Sequence, residues 1–290
     1  MEVVHITHQF QDKTFKLCKE YEEFRKYVTG IENLEEYEDK EIVKDDYEKI
    51  LLDSLFTDEK EEIIVNVEHQ SGLSQEIMHR NLGYRVVLKN KKFKKTVLQY
   101  IFYTGTRIVP ETYTYDDQVC YFPIFIQTCK KDGEKIFKTI KDKIKSKKKI
   151  SSDDVFDLIW LPTFGKLTIN DEFLEEYVEV TNQLKNNKYY EFLKVTVSGW
   201  IKRLARNEKT EKKLMEKLNM INIDSDEFKS YLATAAYERE LQREAELELE
   251  KDESWVRIKQ QLTEKDQKIE EKDQEIAELK KQIKKMEGNK

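Results

Sequence analysis

Residues 49–70, KILLDSLFTDEKEEIIVNVEHQ, give the clearest indication of the fold. Two largely apolar runs, 49–56 and 62–69, flank a short polar turn, which is typical of a β-hairpin. Each run contains one acidic residue among apolar neighbours, Asp53 in the first and Glu68 in the second. Because a charge in an apolar strand costs free energy unless it is paired or binds a metal, the two carboxylates require a common explanation.

The predicted hairpin brings both carboxylates to one place. Period-2 alternation puts Asn66, Glu68 and Gln70 on one face of the second strand and the aliphatic residues between them on the other. A turn centred near residue 60 puts Asp53 opposite residues 66–68. The Cα atoms of directly paired strand residues are only ~4.5–5.5 Å apart. Two carboxylates at that spacing can share one cation with oxygen ligands at ~2.0–2.1 Å, the geometry of Mg²⁺.

Hydrophobic periodicity predicts further helices and strands around this hairpin. The predicted helices are 12–28, 74–90 and a basic segment at 134–149, the further strands are 96–105 and 119–128, and the pattern is almost entirely helical from Ser151 onward. Pro123 inside the last strand favours an edge position or a bulge. We therefore predict an α/β core at residues 1–150, a helical annex at 151–225 and a long helix at 226–290.

Charge is distributed in blocks along the chain, although the formal net charge is only −6. Residues 1–76 contain 21 acidic and 9 basic side chains, a net of −12, whereas residues 77–110 contain 8 basic and no acidic side chains. Residues 130–149 add 10 Lys against 3 acids. Two interpretations stay open: the acidic and basic blocks line different walls of a cleft, or they are ordinary solvated faces.

Several classes of protein are excluded by composition and motif. The three Cys and four His include no CxxC pair and no zinc-finger spacing, which argues against structural zinc and favours a reducing compartment. The sequence has no signal-peptide pattern, and its apolar stretches fall far short of the ~18 residues of a membrane-spanning helix. No P-loop or dinucleotide fingerprint is present. We predict a cytoplasmic protein with no membrane association.

The last 50 residues have a heptad pattern. The a positions carry Trp255, Leu262, Ile269, Ile276 and Ile283, and the d positions carry Ile258, Lys265, Lys272, Leu279 and Met286. A 3.5-residue apolar period over about five heptads predicts a coiled coil and therefore self-association, while Lys at two d positions weakens the seam and leaves the oligomer number open. The alternative is one long polar helix that folds back on its own domain.

Three segments of the chain resemble a known family of nucleases. Asp53 followed by Glu-x-Gln on a hairpin resembles the PD-(D/E)xK nuclease core, in the variant with Gln in place of Lys. More closely, the segments VEHQSGLSQEIMHRNLGY (67–84), VLQYIFYTGTR (97–107) and DLIWLPTFG (157–165) resemble the Rpn-type recombination-promoting nucleases and related transposases. This resemblance implies a restriction-endonuclease-like α/β core, in which helices flank a central mixed sheet.

The resemblance also implies roles for individual residues. Asp53 takes the place of the family's metal-binding Asp, Glu68 that of the second acidic residue, and Gln70 that of the Lys or Gln. Arg80 and Tyr84 take the Arg and Tyr positions of the helix that follows. The chain departs from the usual motif by having Gln at 70 and Leu rather than Pro before its Asp.

The function that this resemblance implies is hydrolysis of phosphodiester bonds by a Mg²⁺-dependent (or Mn²⁺-dependent) DNA endonuclease associated with recombination or mobile elements. The metal ligands would be Asp53, Glu68 and the backbone carbonyl of His69, and Gln70 would complete the catalytic set. The substrate-binding residues would be Arg80, Tyr84, Arg85 and Lys89, and the Lys-rich segment 130–149 would follow the DNA backbone.

Two other interpretations of the same residues stay open. Asp53 and Glu68 can instead cap turns or form a buried ion network with Arg80 or Arg85. Separately, the chain can be a catalytically inactive nuclease fold that serves as a DNA-binding or oligomerisation module. The features that separate the two functions are the uncharged Gln70 and the acidic first quarter of the chain, which would repel DNA if it lined the cleft.

Overall fold

The computed structural model describes residues 9–37, 41–43, 49–51, 54–91, 95–114, 120–219 and 226–251. Residues 9–239 belong to one compact unit, and residues 240–251 belong to a second. Two sequence predictions, Asp53 and the heptads at 255–286, lie outside the described residues and stay predictions.

A five-stranded mixed sheet forms the centre of the first unit. Its strands, in spatial order, are β1 (Glu35–Glu36), β4 (Leu55–Thr57), β5 (Ile63–Gln70), β6 (Thr96–Tyr103) and β9 (Ile124–Gln127). The pairs β1–β4 and β4–β5 are antiparallel, whereas β5–β6 and β6–β9 are parallel. The sequence prediction of an α/β core with a central mixed sheet is confirmed.

The strands β5 and β6 form the middle of this sheet because both are rich in β-branched and aromatic residues. They pair over their full length, from Ile63 beside Thr96 to Gln70 beside Tyr103. Nearly every residue of β5 is buried, so helices must cover both faces of the sheet.

Four short strands form two small antiparallel ribbons, β2 (Glu41–Val43) with β3 (Lys49–Leu51) and β7 (Tyr113–Thr114) with β8 (Cys120–Tyr121). The prediction of one strand over 49–56 is therefore wrong, since β3 pairs in a ribbon and β4 pairs in the central sheet. The predicted strand 119–128 is likewise divided, into β8 and β9. Pro123 stands at this division, and β9 is an edge strand of the sheet as predicted.

The first helical segment is also divided, into α1 (Gln9–Cys18) and α2 (Glu22–Thr29), where one helix over 12–28 was predicted. The rings of Phe15 and Phe24 both lie 5.7 Å from the ring of Phe102 on β6. Residues nine apart lie on opposite sides of a straight helix with 3.6 residues per turn. The break between the helices allows both rings to reach the same face of the sheet.

The remaining helices are α3 (Gln75–Lys91), α4 (Gly133–Lys145), α5 (Ser152–Trp160), α6 (Asp171–Gln183), α7 (Tyr190–Leu204), α8 (Glu208–Lys217) and α9 (Asp226–Lys251). Their bounds confirm the predicted helix at 74–90 and the helical character of the chain after Ser151. Within the described ranges, no helix is both long and apolar enough to cross a membrane.

One large hydrophobic cluster covers the sheet face opposite α3. It contains Phe102 of β6, the helical residues Phe156 and Trp160 of α5, and Trp200 of α7. The ring of Phe102 lies 4.9 Å from that of Trp160 in an edge-to-face arrangement. The core thus continues across residue 150. The predicted division of the chain into domains at that residue stays a prediction.

A buried ion network anchors the start of α9 to the rest of the first unit. The carboxylate of Glu238, whose side chain is 1% exposed, accepts a hydrogen bond of 2.6 Å from the backbone N–H of Phe10 and lies 3.2 Å from Arg203. The neighbouring Arg239 pairs with Glu211 of α8 at 2.5 Å. Burial raises the pKa of Glu238, and Arg203 opposes this effect.

We predict that Glu238→Ala lowers the free energy of unfolding by about 3–5 kcal/mol, because it removes a buried carboxylate that contacts both the guanidinium of Arg203 and the backbone N–H of Phe10. Glu238→Gln should cost less, since the amide oxygen still accepts from the Phe10 N–H. Urea unfolding at pH 7 measures both, with the exposed Glu240→Ala as control. Equal stability of Glu238→Ala and wild type would contradict the network.

Candidate functional site

The predicted alternation along β5 is confirmed. Val65 and Val67 enter the aromatic cluster on one side of the sheet, whereas Ile64 packs with Leu88 of α3 on the other. Because side chains two residues apart share a face, Asn66, Glu68 and Gln70 follow Ile64 on the α3 side, as predicted. The predicted polar face is therefore covered by a helix.

Glu68 is deeply buried on this face. It is only 3% exposed, and Gln70 at the end of the strand is buried as well. A carboxylate taken out of water in this way is expensive unless ion pairs, hydrogen bonds or a metal compensate it. The burial of Glu68 makes it a candidate functional residue on this face of the sheet.

The helix α3 carries Arg80 and Tyr84, the two residues that the family resemblance selects. Arg80 is exposed on the helix, and the structure shows no ion pair of Arg80 with any residue that it describes. Tyr84 is half-buried and packs against the cluster of Leu55, Ile64, Leu88 and Val97. The guanidinium is thus available to a ligand in solvent, whereas the tyrosine ring belongs partly to the packing between helix and sheet.

Arg85 and Lys89 lie farther along α3, at the start of β6. Arg85 Nη1 donates to the carbonyl of Val97 at 3.1 Å, and Lys89 Nζ donates to the carbonyl of Lys95 at 2.9 Å. The cross-strand partner of Glu68 is Ile101, four residues beyond Val97, or about 13 Å along a strand. The structure therefore does not bring Arg85 and Lys89 beside Glu68.

A band of buried amide side chains crosses the interface between α3 and the sheet. Asn66 of β5 pairs across the strands with Gln99 of β6. Gln99 Nε2 donates at 3.0 Å to the backbone carbonyl of Asn81 on α3, and Gln99 Oε1 accepts from the hydroxyl of Tyr121. Gln99 thus joins β6 to α3 at the level of Asn66 and Asn81.

Two of these amides lack hydrogen bonds. Asn66 and Asn81 are both 0% exposed, and neither the oxygen nor the nitrogen of either side chain has a partner in the structure as described. A buried polar group without a partner costs about 1–3 kcal/mol, and such groups commonly mark a bound water, an ion or a catalytic role. This pair is the strongest structural sign of a ligand site.

Two separate apolar clusters lie between α3 and the sheet, one at each end of this band of amides. One contains Leu55, Ile64, Leu88 and Val97, and the other contains Met78, Ile101, Tyr103 and Tyr121. The polar residues interrupt what would otherwise be one continuous helix–sheet interface. Packing alone does not require this interruption.

The side chain of His69 lies on the opposite side of the sheet, as its place in the alternation predicted. Its ring stacks on Phe15 at 5.5 Å, and its Nε2 lies 2.9 Å from the hydroxyl of Thr104. Its Nδ1 lies 3.8 Å from the carboxylate of Asp12 on α1. Burial acts to raise the pKa of Asp12, but hydrogen bonds from His69 and Lys16 outweigh it and lower the pKa to about 2. The imidazole thus fixes β5 to α1.

Some lysines of the basic segment 130–149 form ion pairs. Lys141 pairs with Glu176 at 2.6 Å and Lys143 with Asp154 at 2.7 Å. Six other lysines of this segment are exposed and have no ion pair with a described residue: Lys135, Lys138, Lys145, Lys147, Lys148 and Lys149. The end of α4 and the turn after it are therefore a basic surface suited to a polyanion.

The donor atoms around Glu68 fit a hard divalent cation. A carboxylate and neutral amide oxygens are the ligands that Mg²⁺ prefers. Among the residues that the structure describes, no group of three or more His, Cys, Asp or Glu side chains is placed to hold a metal. The described residues thus supply one carboxylate, that of Glu68, at this place.

Three residues of this region, Gln99, Asn81 and Tyr121, were not predicted from the sequence. Gln99 has a visible signal, because it interrupts the apolar strand TVLQYIFY. Asn81 has none, since an Asn in a helix with charged neighbours is typical of a solvated face. Tyr121 has none either, since its ring packs in an apolar cluster and only its hydroxyl donates to Gln99.

Comparison of the whole chain with family models, with curated proteins and with solved structures gave no match.

We predict that Asp12→Asn weakens the attachment of β5 to α1. A pKa lowered from 3.8 to about 2 corresponds to at most about 2.4 kcal/mol, and solvent screening of a side chain that is 35% exposed reduces this to about 1 kcal/mol. Because the folded-state pKa is lowered, this stability is present above about pH 4 and is lost as the pH falls toward 2.

Urea unfolding of wild type and Asp12→Asn between pH 7 and pH 2 measures this difference. The exposed Glu22→Gln is the control, and it should not change stability at any of these pH values. If the difference in the free energy of unfolding between Asp12→Asn and wild type grew as the pH fell, the lowered pKa assigned to Asp12 would be contradicted.

Proposed function

We propose that this chain is a metal-dependent DNA endonuclease whose active site is built on the α3 side of β5. The observation that carries the proposal is the buried carboxylate of Glu68, which shares its face of the central strand with Gln70 and the unpartnered amide of Asn66. A mixed sheet flanked by helices agrees with the restriction-endonuclease-like core that the resemblance to Rpn-type nucleases implies.

Asp53 is the second carboxylate of the proposed site. It lies outside the described residues, so its part in the site is a proposal from the sequence pattern and the family resemblance. The described part of the hairpin pairs Leu55 with Asn66, and the backbone carbonyl of Ser54 accepts a hydrogen bond from the N–H of Val67 at 3.0 Å. This antiparallel pairing agrees with the hairpin on which the proposal rests.

In the proposed site, Asp53, Glu68 and the backbone carbonyl of His69 hold Mg²⁺ or Mn²⁺. When bound, the ion polarises a phosphate oxygen and lowers the pKa of a coordinated water. Gln70 accepts or donates a hydrogen bond to orient that water, without adding charge. Arg80, which is exposed on the helix after the site, binds a phosphate of the DNA backbone with its guanidinium.

Contacts to DNA beyond the site would be electrostatic. The exposed lysines at the end of α4 can contact phosphates without reading the base sequence. In this proposal Tyr84 packs beside the site, and Arg85 and Lys89 support the start of β6 as well as adding positive charge to α3. Association of the chain with recombination or mobile elements rests on the family resemblance alone.

A second candidate function is a nuclease fold that binds DNA or oligomerises without cutting. The burial of Glu68 and Gln70 favours this alternative, because a scissile phosphate must reach the metal ligands. Gln70 favours it too, since an amide cannot offset the charge that develops in the transition state. Both functions use the same basic surface and differ only in turnover.

We also propose that the heptads at 255–286 join two or more copies of the chain through a coiled coil. Two nuclease sites held by one coiled coil could cut both strands of a duplex. The buried network of Glu238 and Arg239 would fix the start of α9 in each copy.

Plasmid nicking with Mg²⁺ tests the enzyme proposal. Asp53→Asn and Glu68→Gln keep the side-chain shape but remove the anionic ligands, so each should lower the nicking rate at least ~100-fold. Glu76→Gln, an exposed acid in the first turn of α3, is the matched control and should nick like wild type. Equal nicking by all four proteins rules out this site, and salt-dependent binding without cleavage by wild type supports the module.

Light scattering tests the proposed oligomer. Truncation after Lys251 keeps the Glu238 network but removes the heptads, so it should convert an oligomer into a monomer. Lysine at two a positions, Ile269→Lys with Ile276→Lys, should have the same effect in the full chain, whereas Gln267→Lys with Gln274→Lys at outward positions should not. An unchanged mass after truncation contradicts the coiled coil.

A further inference from the structure

The proposed metal ligands do not explain why the side chains of Asn66 and Asn81 lack hydrogen-bond partners. Both side chains are fully buried, and all four of their polar atoms lack partners in the described part of the chain. Buried amides in folded proteins are almost always hydrogen-bonded to protein or to ordered water. Two such amides on neighbouring elements are therefore candidates for contact with a polar ligand.

Gln99 links the strand position of Asn66 to the helix position of Asn81. Asn66 and Gln99 are cross-strand partners on one face of the sheet, and Gln99 Nε2 donates at 3.0 Å to the carbonyl of Asn81. The oxygen of Gln99 is already occupied by the hydroxyl of Tyr121. Gln99 thus fixes α3 above the strand pair, but it leaves Asn66 and Asn81 unsatisfied.

The amides lie next to the proposed metal ligand. Asn66 precedes Glu68 by two residues on the same strand and the same face, so their Cα atoms are about 7 Å apart. Magnesium usually keeps several of its waters when a protein binds it. An amide one position along the strand is within reach of waters on a cation that Glu68 holds.

We infer that Asn66 and Asn81 are positioning residues, whose amide oxygens accept hydrogen bonds from the waters of a divalent cation held at Glu68. This inference rests on the proposed function. Partners that accept from or donate to metal-bound groups orient them and commonly contribute 10–100-fold to metal affinity. The amide nitrogens stay available to donate to a carboxylate or a phosphate oxygen.

A purely structural role for the two amides makes the opposite prediction. They interrupt the interface between two apolar clusters, so leucine, which has a similar size, should join those clusters without loss of stability. If the amides only fill space, the change to leucine leaves cation binding unaltered. If they hold the waters of the cation, the same change weakens cation binding.

Isothermal titration of the full chain with MnCl₂, beside thermal unfolding with and without MgCl₂, separates these roles. Asn66→Leu and Asn81→Leu should each raise the dissociation constant for Mn²⁺ by 10–100-fold. Their melting temperatures without cation should be equal to or above that of wild type. Thr196→Val, a buried polar-to-apolar change in α7, is the matched control and should bind Mn²⁺ like wild type.

A second variant, Asn66→Asp, tests the inference if the leucine variants do not fold. Asn66→Asp adds a carboxylate beside the cation, so it should lower the melting temperature without cation and raise it with MgCl₂ by more than in wild type. A melting temperature of Asn66→Asp that does not respond to MgCl₂ overturns the inference.

The outcomes distinguish this inference from the proposed function. Loss of Mn²⁺ binding in Glu68→Gln, together with full binding in both leucine variants, overturns the role of the amides and leaves the nuclease site in place. Absence of Mn²⁺ binding by wild type overturns both. Loss of binding in Glu68→Gln with weakened binding in both leucine variants supports both.

Discussion

The burial of polar side chains along one face of β5 limits how every neighbouring element can pack. After Ile64, every second residue of this strand is polar, and the strand lies in the middle of a sheet that helices cover on both sides. These side chains cannot reach bulk water, so their polar atoms need partners inside the protein. The helix α3 supplies Asn81 to the same region rather than another apolar residue.

The opposite face of the sheet holds this row in place. Phe102 packs against Phe15, Phe24 and Trp160, and His69 joins the strand to α1 through Asp12 and Thr104. Interiors packed at this density resist small displacements. A rigid aromatic core behind the strand therefore fixes the position of Glu68 on the other face, which is what a site for a small cation requires.

The sequence predicted those parts of the fold that depend on local periodicity. The alternation of β5, the helix α3 and the strand β6 follow from the pattern of apolar residues and are confirmed. The break in the segment 12–28 and the division of 49–56 between two sheets depend on which partners the residues find, which periodicity does not report. The same limit applies to the candidate site. Glu68 can be recognised in the sequence as a charge in an apolar strand. Asn81 can be recognised only from the structure, because its burial against the sheet depends on where α3 packs.

A crystal structure of the full chain soaked in MnCl₂ would establish whether Glu68 holds a cation, because the anomalous signal of manganese locates the ion without reference to activity. We expect a peak beside the carboxylate of Glu68, on the α3 side of β5, with Asp53 in the same coordination sphere and waters that reach Asn66 and Asn81. A well-ordered Glu68 with no peak beside it, or with an arginine partner in the place of the ion, would contradict the proposed metal site.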